Sequence, residues 1–272
     1  MYAPLLQDHP GAWTGCGIAH ECRGSIYAGN FSDAQILLEQ TYSTIASNGQ
    51  HNISLCCDFL AARLSLFQES VTFVKNPEVK RGLLSLHNMM WLNIFDSTYA
   101  YYYALIKMPE KIPALFKDHM LSTVSFLSLQ TYDGNDRESG LSFTENVRKV
   151  IGRSETLLPF CEKMHYELVS LHVQIQTASA YTMLGKHHDA RQLLQKALGH
   201  AMPDGFLIPF VENYNYIKDV LGSINSITPE PFTDRILSLG SVYEQHCLRL
   251  SSRNSRPEIL NMLNSREAKS QL

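Results

Sequence analysis

The chain has 272 residues, 44% of them hydrophobic, and a formal net charge of −3. This apolar content is enough to bury a core, and the weakly acidic balance is a poor match to a phosphate backbone, which argues against nucleic-acid binding by this chain itself. Its first residues lack the basic start and apolar segment of a signal peptide, and no apolar run approaches the ~18 residues of a membrane helix. We therefore expect a cytoplasmic protein without a membrane segment.

The order of the chain predicts three parts. Residues 1–12 contain two prolines and a glycine, and we expect an irregular lead-in. From 13 to 252 the apolar residues recur at helical spacing, without the sustained alternation that would predict a strand. Residues 253–272 are polar and rich in Arg, Asn and Ser, which is typical of a linker.

Two stretches share one pattern at a tight turn. Residues 29–38, GNFSDAQILL, and residues 185–194, GKHHDARQLL, carry Gly, Asp-Ala and Leu-Leu at identical offsets. A glycine turn followed by a small residue in the next helix lets two antiparallel helices pack closely. The pattern predicts an all-α fold of stacked antiparallel helical hairpins, a tetratricopeptide-like right-handed superhelix.

The spacing places other elements along the chain. A hairpin turn is predicted at Lys107-Met108-Pro109, a loop over 131–142 and a short helical turn over 206–216. Further helices are predicted at about 51–67, 77–87, 143–151, 155–162, 164–184 and 187–201, with a last helix from Pro229 and Pro231 to about Ser252.

An aromatic stripe marks residues 91–106. Trp91, Phe95, Tyr99 and Tyr102 recur every three or four residues and so share one helix face. Such a stripe packs as core between stacked hairpins, or it lines a concave face and binds a ligand or peptide. Both interpretations stay open at this point, and the four residues are our candidates for a ligand or partner groove.

No sequence motif indicates catalysis. The chain has no P-loop, no G-x-G-x-x-G, no G-x-S-x-G and no H-E-x-x-H. Adjacent His187 and His188 diverge by roughly 100° on a helix, which suits a shared metal ion poorly. Six cysteines without a C-x-x-C pair predict free, mostly buried thiols. We expect no enzyme activity, no cofactor and no metal.

Two markers give the chain a family resemblance. AYTMLGKHHDARQLLQKALGHAMPDGFLIPFVEN resembles the last repeats of the helical sensor region in MalT-like, LuxR-type bacterial transcription regulators, through Pro203-Asp204-Gly205, Pro209-Phe210 and Glu212. YYYALIKMPEKIPALF resembles a second marker of the same regulators, Y-x-Y-A-L-L-G-R-P-E-K-I-P, with Lys107 where those proteins usually carry glycine.

The resemblance implies a function. In those regulators the repeats sense a small-molecule inducer or a protein partner, and DNA is bound by a separate helix-turn-helix. Residues 263–267, LNSRE, are similar to the start of that domain, but its DNA-reading helix lies outside this chain. The expectation is a non-catalytic, signal-sensing module. The alternatives are a stand-alone tetratricopeptide adaptor for protein–protein interaction, or a helical enzyme whose polar groups converge only in the fold.

Overall fold

The computed structural model describes the backbone of residues 10–46, 51–71, 73, 80–82, 84, 89–113, 116 and 143–270. Within these ranges the chain is helical and contains no strand. The helices are α1 (Pro10–Tyr27), α2 (Phe31–Ala46), α3 (His51–Ser65), α4 (Met89–Leu105), a 3₁₀ turn (Pro109–Lys111), α5 (Phe143–Lys163), α6 (Glu167–Met183), α7 (His187–Ala201), α8 (Ile208–Glu212), α9 (Tyr214–Ile227) and α10 (Pro231–Ser270).

One turn geometry ends five of these helices. Gly29, Lys107, His165, Gly185 and Gly205 all have positive φ, between 55° and 75°. Each donates its N–H to the carbonyl three residues back, and the following residue donates to the carbonyl five residues back, at 2.8 to 3.3 Å. These paired bonds are the Schellman motif, which satisfies the last carbonyls of a helix and turns the chain sharply.

The predicted turns at 29–30, 107–109 and 185–186 are therefore confirmed. Lys107 takes the left-handed conformation that glycine adopts more readily, so its turn has the same geometry as the glycine turns. After the turn at Gly185, helix α7 buries a regular stripe of small and branched residues against α6. That stripe is Ala190, Leu194, Ala197, Leu198 and Ala201.

The prediction of two short helices over 143–162 is wrong. One helix, α5, runs from Phe143 to Lys163 with Pro159 inside it, and the chain turns at 164–166 instead. The exposed Pro159 costs one helical hydrogen bond, which the packing of the helix overrides. The next helix was predicted to begin at Met164, three residues before its true start at Glu167, because His165 makes this turn without the glycine that marks the turns at Gly29 and Gly185.

Two differences lie near the C-terminus. No element was predicted for residues 217–228, yet α9 spans Tyr214–Ile227 and buries Ile217, Val220, Leu221 and Ile224 at helical spacing. The last helix was predicted to end near Ser252, but α10 continues to Ser270. The predicted linker over 253–272 falls mostly within this helical backbone, and the predicted loop over 131–142 lies outside the described residues.

Helices adjacent in sequence pack against each other, in the pairs α1–α2, α2–α3, α3–α4, α5–α6, α6–α7 and α9–α10. The all-α class is confirmed at this level: a helical protein whose neighbouring helices pack in pairs. Short α8 sits between the two halves of the chain, because it contacts α1 as well as α6 and α10. Its Ile208 completes the core of α1–α3, while its Phe210 and Val211 belong to a larger core that joins α3 and α4 to the C-terminal helices.

Candidate functional site

The aromatic stripe of α4 lies largely in the interior. Phe95, Tyr99 and Tyr102 are between 1% and 8% exposed, and Trp91 is half-buried. Phe95 and Tyr99 share one core cluster with their ring centroids 4.8 Å apart, and Phe73 bridges from Tyr99 to Tyr102. These surroundings fit the interpretation in which the stripe packs as core between helices. A role in ligand binding stays a prediction, and Trp91 is the stripe residue that solvent reaches best.

The most unusual group in the interior is an ion pair between the two halves of the chain. Arg63 donates from Nε to Glu212 Oε1 at 2.6 Å and from Nη2 to Oε2 at 2.7 Å. Both side chains are only 3% exposed, although 149 residues separate them in sequence. Such a two-bonded, fork-to-fork arrangement is the geometry in which a buried ion pair best offsets the cost of removing both charges from water.

Three further side chains, Tyr27, Tyr101 and His172, surround this ion pair. Together with Arg63 and Glu212 they form what we call the central polar cluster. The Tyr101 hydroxyl donates to Glu212 Oε1 at 2.5 Å. The Arg63 guanidinium carbon lies 4.4 Å from the centre of the Tyr27 ring, a cation–π contact. The Tyr27 hydroxyl is 3.1 Å from His172 Nε2. One residue each comes from α1, α3, α4, α6 and α8, so the cluster joins five helices at one point.

Near neutral pH, the environment of the cluster keeps His172 uncharged and Arg63 charged. Burial, with the nearby Arg63 and Arg23, lowers the pKa of His172 to about 3, so its imidazole is neutral. Burial also opposes the charge of Arg63, but the carboxylate of Glu212 outweighs it and the pKa of Arg63 is raised well above its usual range. Burial and then Glu212 raise the pKa of Tyr101. Because burial keeps His172 neutral and Glu212 keeps Arg63 charged, the cluster suits a cross-link between helices better than proton transfer.

A second pair of ionic contacts holds the helical residues 80–82 against α3 and α4. Lys80 pairs with Asp58, and Arg81 pairs with Asp96 through two bonds of 2.9 and 3.0 Å. We call these contacts the surface strap. Both carboxylates are buried, but the cations stay 29% and 49% exposed. Burial raises the pKa of Asp58, while the Lys80 and Tyr42 hydrogen bonds oppose that rise.

Sequence reasoning missed the central polar cluster. Its one readable signal is a charge within an apolar run: Arg63 stands in LAARLS, and Glu212 follows Ile208-Pro209-Phe210-Val211. A charge in such a place requires a buried partner, but nothing in the spacing says which one. Tyr101 lies on α4 between Tyr99 and Tyr102 but off their stripe, and its hydroxyl meets Glu212.

The cysteines and the adjacent histidines His187 and His188 are not members of this cluster. All six cysteines are free thiols, four of them buried, as predicted. His187 and His188 are exposed at the start of α7, where His188 Nε2 lies 3.0 Å from Gln192 Nε2. Within the described part of the chain, no group of three His, Cys, Asp or Glu side chains is arranged to hold a metal ion.

None of the described helices combines the length and the apolar character needed to span a bilayer. Comparisons of the chain with protein-family models, curated proteins and solved structures returned no match. The fold and the site thus define a class, an all-helical protein of paired helices closed around a buried ionic cluster. Any narrower assignment rests on the residues themselves.

Proposed function

We propose that this chain is a non-catalytic, signal-sensing module of a LuxR-type bacterial transcription regulator, acting in the cytoplasm. Its paired helices would form a tetratricopeptide-like right-handed superhelix that binds a small-molecule inducer or a protein partner on the concave face. DNA would be reached only through a helix-turn-helix that this chain does not include. The hypothesis combines the family resemblance with two observations on the fold.

The first support is the recurrence of the hairpin. Helical repeat proteins stack one supersecondary unit many times, and here the same Schellman turn ends helices at five places along the chain. At 29–31, 165–167 and 185–187 the next helix begins two residues after the positive-φ residue. The connection between the two helices therefore has the same length at all three turns. This regularity is expected of a repeat array, and it favours a binding module over an enzyme whose fold surrounds one catalytic cleft.

The second support, and the observation that carries the proposal, joins the two family markers. Glu212 is the last matching residue of the first marker, and Tyr101 opens the stretch that resembles the second. The two residues are 111 positions apart, yet the Tyr101 hydroxyl donates to Glu212 at 2.5 Å. Markers that look unrelated in sequence therefore serve one buried contact, which gives a physical reason for them to occur together.

The central polar cluster also offers a route for a signal. A ligand shifts a conformational equilibrium by binding one state better than another. Because Tyr27, Arg63, Tyr101, His172 and Glu212 come from five helices, a ligand that displaces one hairpin must change the ion pair or move its neighbours. We therefore propose that the cluster couples the N-terminal hairpins to the helices that lead towards Ser270.

The reading frame around this chain provides the direct test. We expect it to continue beyond Leu272 into a complete helix-turn-helix that binds DNA in a mobility-shift assay. A frame without a DNA-binding domain would contradict the proposal and favour the stand-alone adaptor. The adaptor alternative keeps its own support, since a stack of hairpins binds peptides without any link to transcription.

The binding face is tested separately with a Trp13→Phe variant, which leaves Trp91 as the only tryptophan of the chain. A library of sugars, amino acids and carboxylates is screened by thermal shift, because a ligand of the folded state must raise the melting temperature. A ligand bound at the aromatic stripe should also shift the Trp91 emission. Ligands that raise the melting temperature with no emission change would remove Trp91, Phe95, Tyr99 and Tyr102 from the binding face.

A further inference from the structure

A second candidate site lies away from the central polar cluster, at the open end of the α5–α6 hairpin. Here a surface cleft of about 510 Å³ is lined by Arg148, Ile151, Met183, Leu184 and Lys186. That volume falls within the range of small-molecule pockets. The lining residues come from the first half of α5, the end of α6 and the turn before α7.

The floor of the cleft is apolar and well supported. Ile151, Met183 and Leu184 are each half-buried and pack against a small core cluster formed by Val147, Val150 and Ala180. Because this cluster fixes their positions, the three side chains present a preformed apolar surface to the cleft. An apolar ligand group placed there would be removed from water without rearrangement of the helices.

The rim of the cleft is cationic. Arg148 and Lys186 are both exposed, and neither forms an ion pair with another of the described side chains. The Lys186 ammonium lies 5.7 Å from the centre of the Tyr181 ring, a cation–π contact at the edge of the turn. None of the described residues that line the cleft carries a carboxylate, so the lining offers a bound anion two positive charges.

We propose that this cleft binds a small organic monocarboxylate with a short apolar body. The carboxylate would be held by the Arg148 guanidinium, whose planar fork matches two carboxylate oxygens, and by the Lys186 ammonium. The apolar body would lie on Ile151, Met183 and Leu184. An inorganic anion would leave this floor in water, and an uncharged apolar molecule would leave both cations without a partner. The lining thus selects for both parts of the ligand at once.

Three probes of matched size or charge separate these contributions: octanoate, octanamide and acetate. Isothermal titration calorimetry is carried out on the full chain with each probe at up to about 5 mM, several times the Kd of a millimolar site. We expect octanoate alone to bind, and raising the salt concentration to weaken it because the cations are exposed. Failure of octanoate to bind, or equal binding of acetate or octanamide, would overturn the proposal.

Variants then locate the bound probe. Arg148→Ala and Lys186→Ala should each weaken octanoate binding, the arginine variant by roughly tenfold, since a hydrogen bond between charged groups is lost. Arg153→Ala on the same helix and Lys196→Ala on α7 are matched controls, because both residues are exposed and neither lines the cleft. Equal binding by Arg148→Ala, Lys186→Ala and the controls would place the carboxylate elsewhere and reject this site. A negative result here leaves the proposed regulatory function untouched.

Discussion

The protein uses ion pairs in two ways, and the difference is how much of each pair is buried. In the central polar cluster, both Arg63 and Glu212 are removed from solvent, and each depends on the other. In the surface strap the carboxylates of Asp58 and Asp96 are buried, but Lys80 and Arg81 remain partly in water. If a cation of the surface strap is removed, water can solvate the carboxylate that it leaves behind. Water cannot do this for Glu212 if Arg63 is removed, because both side chains are buried. Loss of a cation should therefore lower the free energy of unfolding much more in the central polar cluster than in the surface strap.

The largest effect should follow Arg63→Met. This change leaves the Glu212 carboxylate buried without its cation, and we expect a loss of about 3–5 kcal/mol in the free energy of unfolding. Urea denaturation measures it. The double variant Arg63→Met/Glu212→Leu removes both charges and should recover most of the loss. A double variant as unstable as the sum of its singles would show that the two residues do not act as a pair.

Tyr101→Phe should have the next largest effect. It removes one donor to the buried Glu212 while leaving the ring and both Arg63 bonds, so we expect a loss of about 1.5–3 kcal/mol. Tyr181→Phe, on a half-buried tyrosine of α6, is the matched control and should change stability by less than about 0.5 kcal/mol. Equal losses of stability in the two variants would mean that the Tyr101–Glu212 hydrogen bond does not stabilise the fold.

His172 should make the stability of the protein depend on pH. Its pKa is depressed from 6.5 to about 3 in the folded chain, so the unfolded chain binds more protons between these values. The contribution is therefore complete above pH 6.5 and is lost as the pH falls towards 3, by at most about 1.4 kcal/mol per pH unit. His172→Gln should flatten this slope in denaturation curves between pH 4 and 7 relative to the exposed control His187→Gln. An unchanged slope would mean that His172 is not buried as a neutral imidazole.

The smallest effect belongs to the surface strap. Arg81→Met removes a cation that is 49% exposed, and water can enter beside Asp96 in its place, so we expect a loss of only about 1 kcal/mol. The comparison is direct, because Arg63→Met makes the same chemical change in the buried pair. If Arg81→Met cost as much as Arg63→Met, burial of the cation would not explain the difference between the two regions.

Local signals were readable from the sequence, and contacts distant in sequence were not. Gly29 and Gly185 indicate their turns in the sequence because glycine adopts positive φ easily. Pro109 gives a local sequence signal of the same kind for the turn at 107–109. His165 makes the same turn without such a signal, and the start of α6 was predicted three residues early, at Met164. Among the candidate site residues, the helical spacing of Phe95, Tyr99 and Tyr102 was readable, but not which core cluster each one joins.

The cleft and the central polar cluster were beyond sequence reasoning for one physical reason. Arg148 and Lys186 come together only because α5 and α6 are antiparallel, and Arg63 meets Glu212 only because α8 returns to the N-terminal helices. Side-chain periodicity describes one helix at a time. It does not specify which of two apolar faces will meet when several arrangements bury similar areas.

The position of α8 has a consequence for how the protein is made. Leu207 donates its N–H to the carbonyl of Tyr27 at 2.9 Å, and Ile208 fills the core of α1–α3. Helix α3 ends at Ser65, so 143 more residues (208 minus 65) must leave the ribosome before that core is complete. At about 5–20 residues per second this takes roughly 7–30 s. The first three helices should spend that interval with an open apolar face, where chaperones have time to bind.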